Sequence, residues 1–198
     1  MKKVGLFGGT FNPPHLGHLL FAQEAMLACK LDEIWFIPVN IPPHKESEEL
    51  ISNKDRVDLL RACTKQNERF SVSTVELKRE GPSYSVDTVK LLKKIHKDTE
   101  FFFLIGGDMI DYLPKWERID ELIKLVTFIG VRRPGSLASS TYSDHVMLID
   151  MVQVDFSSTL IRERVRAGLP VTYMVPDEVD KLMKERGLYE PGRSASLR

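Results

Sequence analysis

The hydrophobic pattern of the first forty residues predicts a strand, a helix and a second strand in succession. A short apolar run covers residues 3–7, and helical spacing of apolar side chains follows over residues 16–30. A second, longer apolar run covers residues 34–39. Units of this kind give parallel strands joined by right-handed crossovers.

The alternation of strands and helices continues to the end of the chain. Apolar spacing predicts helices at residues 54–65, 86–96, 158–167 and 177–186. Strands are predicted at residues 70–77, 100–105, 125–131 and 146–149. Most of these strands lack an in/out alternation, which is typical of parallel strands buried on both faces. The pattern therefore predicts an α/β fold, an open doubly wound parallel sheet with a small C-terminal helical region.

The segments between these elements predict the domain organisation. Residues 41–52 and 132–144 are rich in turn-forming residues and are predicted to be loops. Neither segment has the length of a domain linker. We therefore expect a single domain over residues 1–190 and a frayed tail over residues 191–198.

Composition narrows the functional classes. The chain has 198 residues, with 28 Lys and Arg against 28 Asp and Glu. Zero net charge argues against a general nucleic-acid or membrane-surface binder. No apolar run approaches the about 18 residues of a membrane span, and the N-terminus lacks a signal-peptide core, so a cytoplasmic protein is expected. Cys29 and Cys63 lie in apolar helical patterns and are predicted to be free, buried thiols.

The turn after the first strand is the first candidate site. In open parallel sheets, ligands collect at the carboxyl ends of the strands, and Gly8, Gly9 and Thr10 occupy this position. The glycines allow close approach of the backbone to a ligand, and converging N–H groups can hold an anion. The stretch is neither the dinucleotide GxGxxG nor the P-loop GxxxxGK[ST], which disfavours a dehydrogenase and a P-loop kinase.

Two histidines follow this turn at the start of the next helix. His15 and His18 are three residues apart, so both side chains share one face of the first helical turn beside its unpaired N–H groups. Exposed or capping histidines would show the same spacing. A zinc site would need a third ligand, for which His44 is the only histidine nearby in sequence. The Gly-Gly-Thr turn just before the pair favours contact with phosphate.

A second polar helix start lies far along the chain. Ser157, Ser158 and Thr159 precede an apolar-periodic helix that carries Arg162 in its first turns. Plain N-capping by Ser157 or Ser158 explains part of this pattern. Hydroxyls, free N–H groups and a guanidinium at one helix end can also clamp an anion.

The two segments together resemble the signatures of the nucleotidyltransferase α/β-phosphodiesterase superfamily. The first signature is GGTFNPPHLGH over residues 8–18, and the second is SSTLIR over residues 157–162. With PPHK at residues 42–45 and GGD at residues 106–108, the chain is similar to the bacterial nicotinate mononucleotide adenylyltransferases within it. No signature position departs from the family pattern, and Phe156, where a smaller apolar residue is common, comes nearest to a departure.

The resemblance implies a Rossmann-like nucleotidyltransferase fold and a reaction of NAD biosynthesis. In that reaction, the phosphate of nicotinate mononucleotide attacks the α-phosphorus of ATP and releases pyrophosphate. ATP and nicotinate mononucleotide are the partners so implied, with Mg²⁺ carried mainly by the ATP phosphates and water. No metal-ligating residue, nucleic-acid partner or membrane partner is implied, and a homo-oligomer stays open.

The resemblance also implies three sets of functional residues, which overlap. The catalytic set is His18, His15, Lys45 and Arg162. The ATP-binding set is Gly8, Gly9, Thr10, Phe11, His15, His18, Gly106, Asp108, Ser158, Thr159 and Arg162. The substrate-binding set is Thr10, Asn12, Lys45, Tyr84, Thr88, Tyr112 and Trp116. Within these sets, His18 is expected to stabilise the α-phosphoryl transition state, and Asp108 to accept hydrogen bonds from the adenosine ribose.

Other activities remain open at this point. An adenylyltransferase that prefers nicotinamide mononucleotide or phosphopantetheine would have a related site. A module that senses nucleotides and has lost turnover would keep the fold. Such a module would be expected to have lost at least one of His15, His18, Lys45 and Arg162, and all four are present.

Overall fold

In the computed structural model, which describes residues 1–40, 50–79, 81–131 and 142–191, six strands form one sheet. The strands are β1 (Lys2–Gly9), β2 (Glu33–Pro38), β3 (Phe70–Val72), β4 (Thr99–Ile105), β5 (Thr127–Val131) and β6 (Val146–Ile149). Their order is β3-β2-β1-β4-β5-β6, and every pair of neighbours is parallel. The predicted open parallel sheet is confirmed.

Helices connect these strands and follow the last one. Their bounds are α1 (Leu16–Ala28), α2 (Asn53–Thr64), α3 (Ser85–Ile95), α4 (Gly107–Tyr112), α5 (Ile119–Leu122), α6 (Ser158–Arg166) and α7 (Asp177–Arg186). Two short 3₁₀ segments cover Leu113–Lys115 and Ser143–His145. None of the helices in the described ranges is long and apolar enough to cross a membrane.

Apolar side chains fill both faces of the sheet, which makes it doubly wound. On one face, Val86 and Val89 of α3 pack with Phe103 of β4. On the other face, Phe21 and Ala25 of α1 pack with the alternate strand side chains, which point away from α3. The predicted helices on both faces are thereby confirmed.

The predicted strand over residues 70–77 is wrong in length. It ends at Val72, and a turn covers residues 75–78. Glu76 in this turn is buried, and its Oε1 accepts a hydrogen bond of 2.7 Å from the Thr88 hydroxyl. Val75 packs against the core beside α3 instead of extending the sheet. The apolar alternation that suggested a strand therefore reflects a buried turn.

Some sequence predictions fall outside the described residues. Residues 41–49, 80, 132–141 and 192–198 are not described, and they include most of both predicted loops and nearly all of the predicted tail. The helices over residues 107–112 and 119–122 were not predicted. Each has six residues or fewer, which is too short for a helical period to be visible in the sequence.

The C-terminal helices close onto α2 through a third apolar cluster. Its buried members include Leu59 and Cys63 of α2, Ile161 of α6 and Val179 of α7. At the edge of this cluster, Arg186 of α7 donates to two carboxylates of α2. Its Nη1 lies 2.6 Å from Asp55 Oδ1, and its Nη2 lies 2.9 Å from Asp58 Oδ2.

We expect Arg186→Met to lower the free energy of unfolding at neutral pH by about 1–2 kcal/mol. Burial alone would raise the pKa of Asp55, but hydrogen bonds from Ser52 and Arg186 leave it lowered. A lowered carboxyl pKa stabilises the fold above about pH 4 and loses this effect as the pH falls further. The difference between wild type and variant should therefore shrink below about pH 4 in urea unfolding curves.

Lys181→Met is the matched control, because Lys181 is an exposed cation on the same helix. It should change stability much less than Arg186→Met. Equal stability losses in the two variants, or a loss that does not depend on pH, would contradict the assignment of the Arg186 ion pairs.

Candidate active site

The candidate site lies where β1 and β4 run side by side. The chain leaves β1 toward β2 on one side and returns through β4 on the other, so a crevice opens at the carboxyl ends of these two strands. Phe7 pairs with Leu104, so Gly9 and Gly106 follow at equivalent heights. The turn over residues 10–15, called here the β1–α1 turn, therefore neighbours the start of α4.

The start of α6 packs directly on this turn. Ser157 is the N-cap, and its Oγ accepts a hydrogen bond of 3.1 Å from the Leu160 N–H. Ser158 Oγ donates to the Pro13 carbonyl at 2.7 Å, and Arg162 Nη1 donates to the Asn12 carbonyl at 2.9 Å. The two polar helix starts predicted from the sequence are thus brought together.

Two further donors hold the same turn from other elements. Arg56 of α2 donates to the Thr10 carbonyl at 2.9 Å. Tyr189, which follows α7, donates its hydroxyl to Asn12 Oδ1 at 2.8 Å. Burial raises the pKa of the Tyr189 phenol, so it keeps its proton and remains a donor at neutral pH. The Asn12 side chain is buried and accepts this bond, so its expected contact with substrate stays a prediction.

His15 and His18 stack on each other at the start of α1. Their ring centroids are 3.6 Å apart with an interplanar angle of 29°. The His15 backbone N–H donates to His18 Nδ1 at 3.1 Å. Because Nδ1 accepts this bond, the proton of the neutral His18 ring must be on Nε2. His18 therefore offers an N–H donor from its far side.

Both histidines are held in the neutral form. Burial lowers the pKa of His15 to about 4. Burial also lowers the pKa of His18 well below its usual value, and the neighbouring His15 lowers it further. The rings of Phe7 and Phe11 meet His18 edge-on at 5.8 Å and 5.1 Å, which supplies this apolar surrounding.

Two glycines of the first signature make room for these rings. A Cβ at Gly17 would lie 3.0 Å from His15 Nδ1, so a larger residue would push His15 out of its stack. A Cβ at Gly9 would lie 2.9 Å from the Phe11 ring. Phe11 has a φ of 51° and a buried side chain, so a contact with ATP would involve its backbone.

The residues expected around the pyridine ring lie on α3 and near α4. Tyr84 is the N-cap of α3 and is half-buried. Thr88 is wholly buried, and its only hydroxyl proton goes to Glu76. Burial raises the pKa of Glu76, against hydrogen bonds from Thr88 and Ser83 and the nearby Arg79 that lower it. The Thr88 hydroxyl thus serves this internal network, and its contact with substrate stays a prediction.

The other two expected ring contacts differ in exposure. Tyr112 is exposed, with Lys115 Nζ 4.4 Å above its ring. Trp116 meets Phe103 and Phe128 edge-on at 5.7 Å and 6.0 Å, and its buried Nε1 has no acceptor among the described residues. Trp116 therefore packs in part on the core, and its indole N–H is left for another partner.

An ion pair ties the two halves of this ring region together. Arg118 lies two residues after Trp116 and has a φ of 50°. This left-handed backbone conformation is energetically unfavourable for a residue other than glycine. Arg118 Nη2 donates to both oxygens of Asp87 on α3, each at 2.7 Å. The segment that carries Tyr112 and Trp116 is thereby fixed to the helix that begins after Tyr84.

Three remaining predictions can be placed. Gly106 has an ordinary φ of −62°, and a Cβ there would meet no protein atom within 4 Å. Thr159 Oγ1 accepts a hydrogen bond of 3.3 Å from Arg162. Lys45 lies outside the described residues, as does the side chain of Asp108, so the roles expected for them stay predictions.

Arg56 and Tyr189 are contacts that sequence reasoning missed. Arg56 had a detectable signal, because it precedes the buried Leu60 by four residues and so lies on the apolar face of α2. Tyr189 lies beyond the last helix in a segment without periodicity, and no pattern could have found it.

Comparison with known proteins now gives the class. Residues 6–164 match the family model described as cytidylyltransferase-like, so the chain is a nucleotidyltransferase. A chain from Bacillus subtilis named nicotinate-nucleotide adenylyltransferase is 49% identical over 190 residues, which cover 96% of this chain and 100% of that one. A chain from Halalkalibacterium halodurans with the name "Probable nicotinate-nucleotide adenylyltransferase" is 53% identical, with coverages of 98% and 94%. The chain belongs to the nicotinate-nucleotide adenylyltransferase family.

A solved structure supports the fold independently. The nicotinic acid mononucleotide adenylyltransferase of Plasmodium falciparum, complexed with APC, superposes with a TM-score of 0.78. The superposition covers 96% of this chain and 98% of that one at 16% sequence identity. At this identity the likeness concerns the fold alone.

We expect imidazole ¹⁵N NMR to show both site histidines neutral at pH 7, with His18 protonated on Nε2. His15 should titrate with a pKa of about 4. Because the folded state resists protonation of His15, the free energy of unfolding should fall as the pH drops from about 6.5, the ordinary histidine pKa, toward that value. Titration of both rings near pH 6.5 would contradict the burial described above.

Proposed function

We propose that the chain transfers the adenylyl group of ATP to nicotinate mononucleotide, giving deamido-NAD and pyrophosphate in NAD biosynthesis. The observation that carries the proposal is the neutral His15/His18 stack beside a β1–α1 turn that is held by the start of α6. Two curated relatives of about half identity over nearly the whole chain, both with names of this activity, support the same reaction.

The reaction needs no enzyme nucleophile. An oxygen of the nicotinate mononucleotide phosphate attacks the α-phosphorus of ATP, and the bond from that phosphorus to the bridging oxygen of the β-phosphate breaks. The electron pair leaves with pyrophosphate. Because the attacking phosphate is already an anion, no general base is required. Catalysis then consists of positioning and of stabilising charge on the α-phosphoryl oxygens.

His18 is suited to this task because it is a neutral donor. Its Nε2–H can donate to a phosphoryl oxygen while Nδ1 remains fixed by the His15 backbone. A pKa well below neutrality keeps the ring from gaining a second proton at the pH of the cell. Its donor geometry is therefore the same before and after transfer, which is the preorganisation that stabilises a transition state.

The remaining phosphate contacts are assigned to cations and helix starts. Arg162 donates to the Asn12 carbonyl and to Thr159 Oγ1, and we assign its positive charge to the phosphates as well. The N–H groups at the starts of α1 and α6, with the hydroxyl of Thr159, add neutral donors. Lys45 is assigned to phosphate charge on its position in the signature.

Mg²⁺ would accompany ATP, held by phosphate oxygens and water. The described residues contain no cluster of three His, Cys, Asp or Glu side chains that could hold a metal ion. When bound, the ion neutralises charge on the triphosphate.

The pyridine and the adenosine ribose are assigned to different residues. We assign the pyridine to Tyr84, Tyr112 and Trp116, where an aromatic ring can stack on it. The nearby Trp116 Nε1, buried and without an acceptor among the described residues, is a candidate donor to the ring carboxylate. We assign the ribose to Gly106 and Asp108 at the end of β4.

We expect Gly106→Ala to weaken ATP binding with little change in stability. The φ of Gly106 suits alanine, and the added methyl group would meet open space in the free protein. A ligand that lies against this glycine would collide with the methyl group. Thermal unfolding should stay within a few degrees of wild type while the KM for ATP rises. An unchanged KM would remove Gly106 from the ATP site.

The reaction itself is tested by pyrophosphate release from ATP with three acceptors in parallel. These are nicotinate mononucleotide, nicotinamide mononucleotide and phosphopantetheine. We expect activity with the first to exceed activity with the other two. Activity with phosphopantetheine alone would overturn the assignment, and ATP binding without release for any acceptor would favour a nucleotide sensor.

We expect His18→Ala to lower kcat by about 10²–10³, the usual effect of deleting one transition-state donor. His18→Gln, which retains an N–H donor of similar reach, should recover part of this loss. His145→Ala is the control, because His145 is an exposed histidine away from the turn. A kcat at the wild-type level in His18→Ala would remove the imidazole from the mechanism.

A further inference from the structure

Arg56 is the largest side chain that is fully buried among the described residues, with 0% of its surface exposed. Its guanidinium donates to the Thr10 carbonyl at 2.9 Å, to the Val39 carbonyl at 2.7 Å and to Asn53 Oδ1. All three acceptors are neutral. Within the described ranges, no ion pair joins Arg56 to a carboxylate. Among the residues that the structure describes, the side chain is therefore a buried cation without an opposite charge.

A buried, unpaired cation lowers the stability of the folded state, so packing alone does not explain why it is there. Burial lowers the pKa of Arg56 to about 10, so the group remains charged at neutral pH. A buried charge is unfavourable unless it is paired, and apolar side chains of similar volume often stabilise a protein as well or better. The contacts of Arg56 therefore indicate a role beyond packing.

The guanidinium group of Arg56 links the ends of two neighbouring strands. Gly9 pairs with Pro38 in the parallel register, so Thr10 and Val39 are the first residues beyond β1 and β2. Both carbonyls face the same guanidinium, and two of its nitrogens reach them separately. A lysine has a single nitrogen on a flexible stem and could not hold both carbonyls in a fixed geometry.

The bond to Thr10 fixes one peptide group of the β1–α1 turn. Asn12–Pro13 is the cis peptide recorded in the chain, so Thr10–Phe11 is trans. In a trans peptide the N–H points away from the carbonyl, so the Phe11 N–H points away from Arg56. This N–H has no protein acceptor among the described residues.

We propose that Arg56 is a positioning residue for the phosphate-binding turn: its guanidinium locks the Thr10–Phe11 peptide so that the Phe11 N–H donates to the polyphosphate of the nucleotide. This inference rests on the proposed function, because the polyphosphate is that of ATP. Arg56 itself touches no ligand. It acts through the peptide that it holds, and the strand end at Val39 anchors it.

The test measures the binding of two ligands to the full-length chain by calorimetry. Inorganic tripolyphosphate probes the turn, and adenosine probes the nucleoside pocket without phosphate. In Arg56→Met and in Arg56→Lys, tripolyphosphate affinity should fall about tenfold or more, as expected for a lost bond to a charged group. Adenosine affinity should stay within about twofold of the wild-type value, because adenosine lacks the phosphates that the turn would contact and its own contacts are unchanged. Arg61→Met, an exposed arginine of the same helix, is the control and should bind both ligands like wild type.

A second measurement needs no variant and covers the case in which the substituted chains do not fold. In the ¹H–¹⁵N spectrum of the wild-type chain, tripolyphosphate should shift the Phe11 amide proton downfield, and adenosine should not. A Phe11 amide that does not respond to tripolyphosphate overturns the inference.

The outcomes separate this inference from the proposed function. If wild type binds tripolyphosphate and both Arg56 variants bind it equally well, only the role of Arg56 falls. If Arg56→Lys matches wild type while Arg56→Met does not, a charge effect replaces positioning and the inference is overturned. Parallel losses of both ligands would indicate a merely structural role. If wild type binds neither ligand, the proposed function fails as well.

Discussion

The site depends on one constraint, which is that the backbone carbonyls of a buried turn without regular secondary structure must find hydrogen-bond donors elsewhere in the protein. In the β1–α1 turn, the carbonyls of Thr10, Asn12 and Pro13 accept bonds from Arg56, Arg162 and Ser158. These donors are 46, 150 and 145 residues away in sequence. A turn of six residues is therefore shaped by α2 and α6. If the turn binds phosphate as proposed, substitutions in either helix are expected to disturb that binding without touching the ligand.

The same constraint explains why zero net charge suits a protein that handles polyphosphate. Neutral donors can hold an anion when they are preorganised, and the N–H groups of the turn and the His18 ring are neutral. Arg56 is buried behind the turn, and Arg162 donates to it. Local arrangement therefore replaces the broad positive surface that nucleic-acid binders show.

The sequence reveals the sheet and the phosphate side of the site more readily than the ring side. The apolar runs of β1, β2 and β4 predict the parallel sheet. Because ligands of such sheets collect at the carboxyl ends of the strands, residues 8–18 are then placed at the ligand-binding edge. The start of α6 is recognisable from Ser157 to Arg162 because capping and charge leave a local pattern. Arg56 has the periodicity of a core residue and the chemistry of a surface one, so a residue-by-residue interpretation assigns it to solvent.

Long-range contacts explain most of what the sequence conceals. Glu76 lies in an alternating apolar stretch, which predicts a strand, yet it turns inward to accept the Thr88 hydroxyl. Tyr189 reaches Asn12 across 177 residues. Neither contact has a periodic signature, because each depends on tertiary packing that local patterns do not encode.

The two halves of the candidate site are therefore built differently, and this bears on specificity. The phosphate half is fixed by partly buried hydrogen bonds from α2 and α6. The ring half stands on α4, α5 and the loop between them, where Arg118 keeps a costly backbone conformation because Asp87 holds its guanidinium. Under the proposed assignment, changes in Tyr112 or Trp116 are expected to alter the fit to the ring substituent while the phosphate half stays intact. Substrate choice and adenylyl transfer would then be physically separable, with the chemistry set by the β1–α1 turn, α1 and α6 and the preference set by the segment after β4.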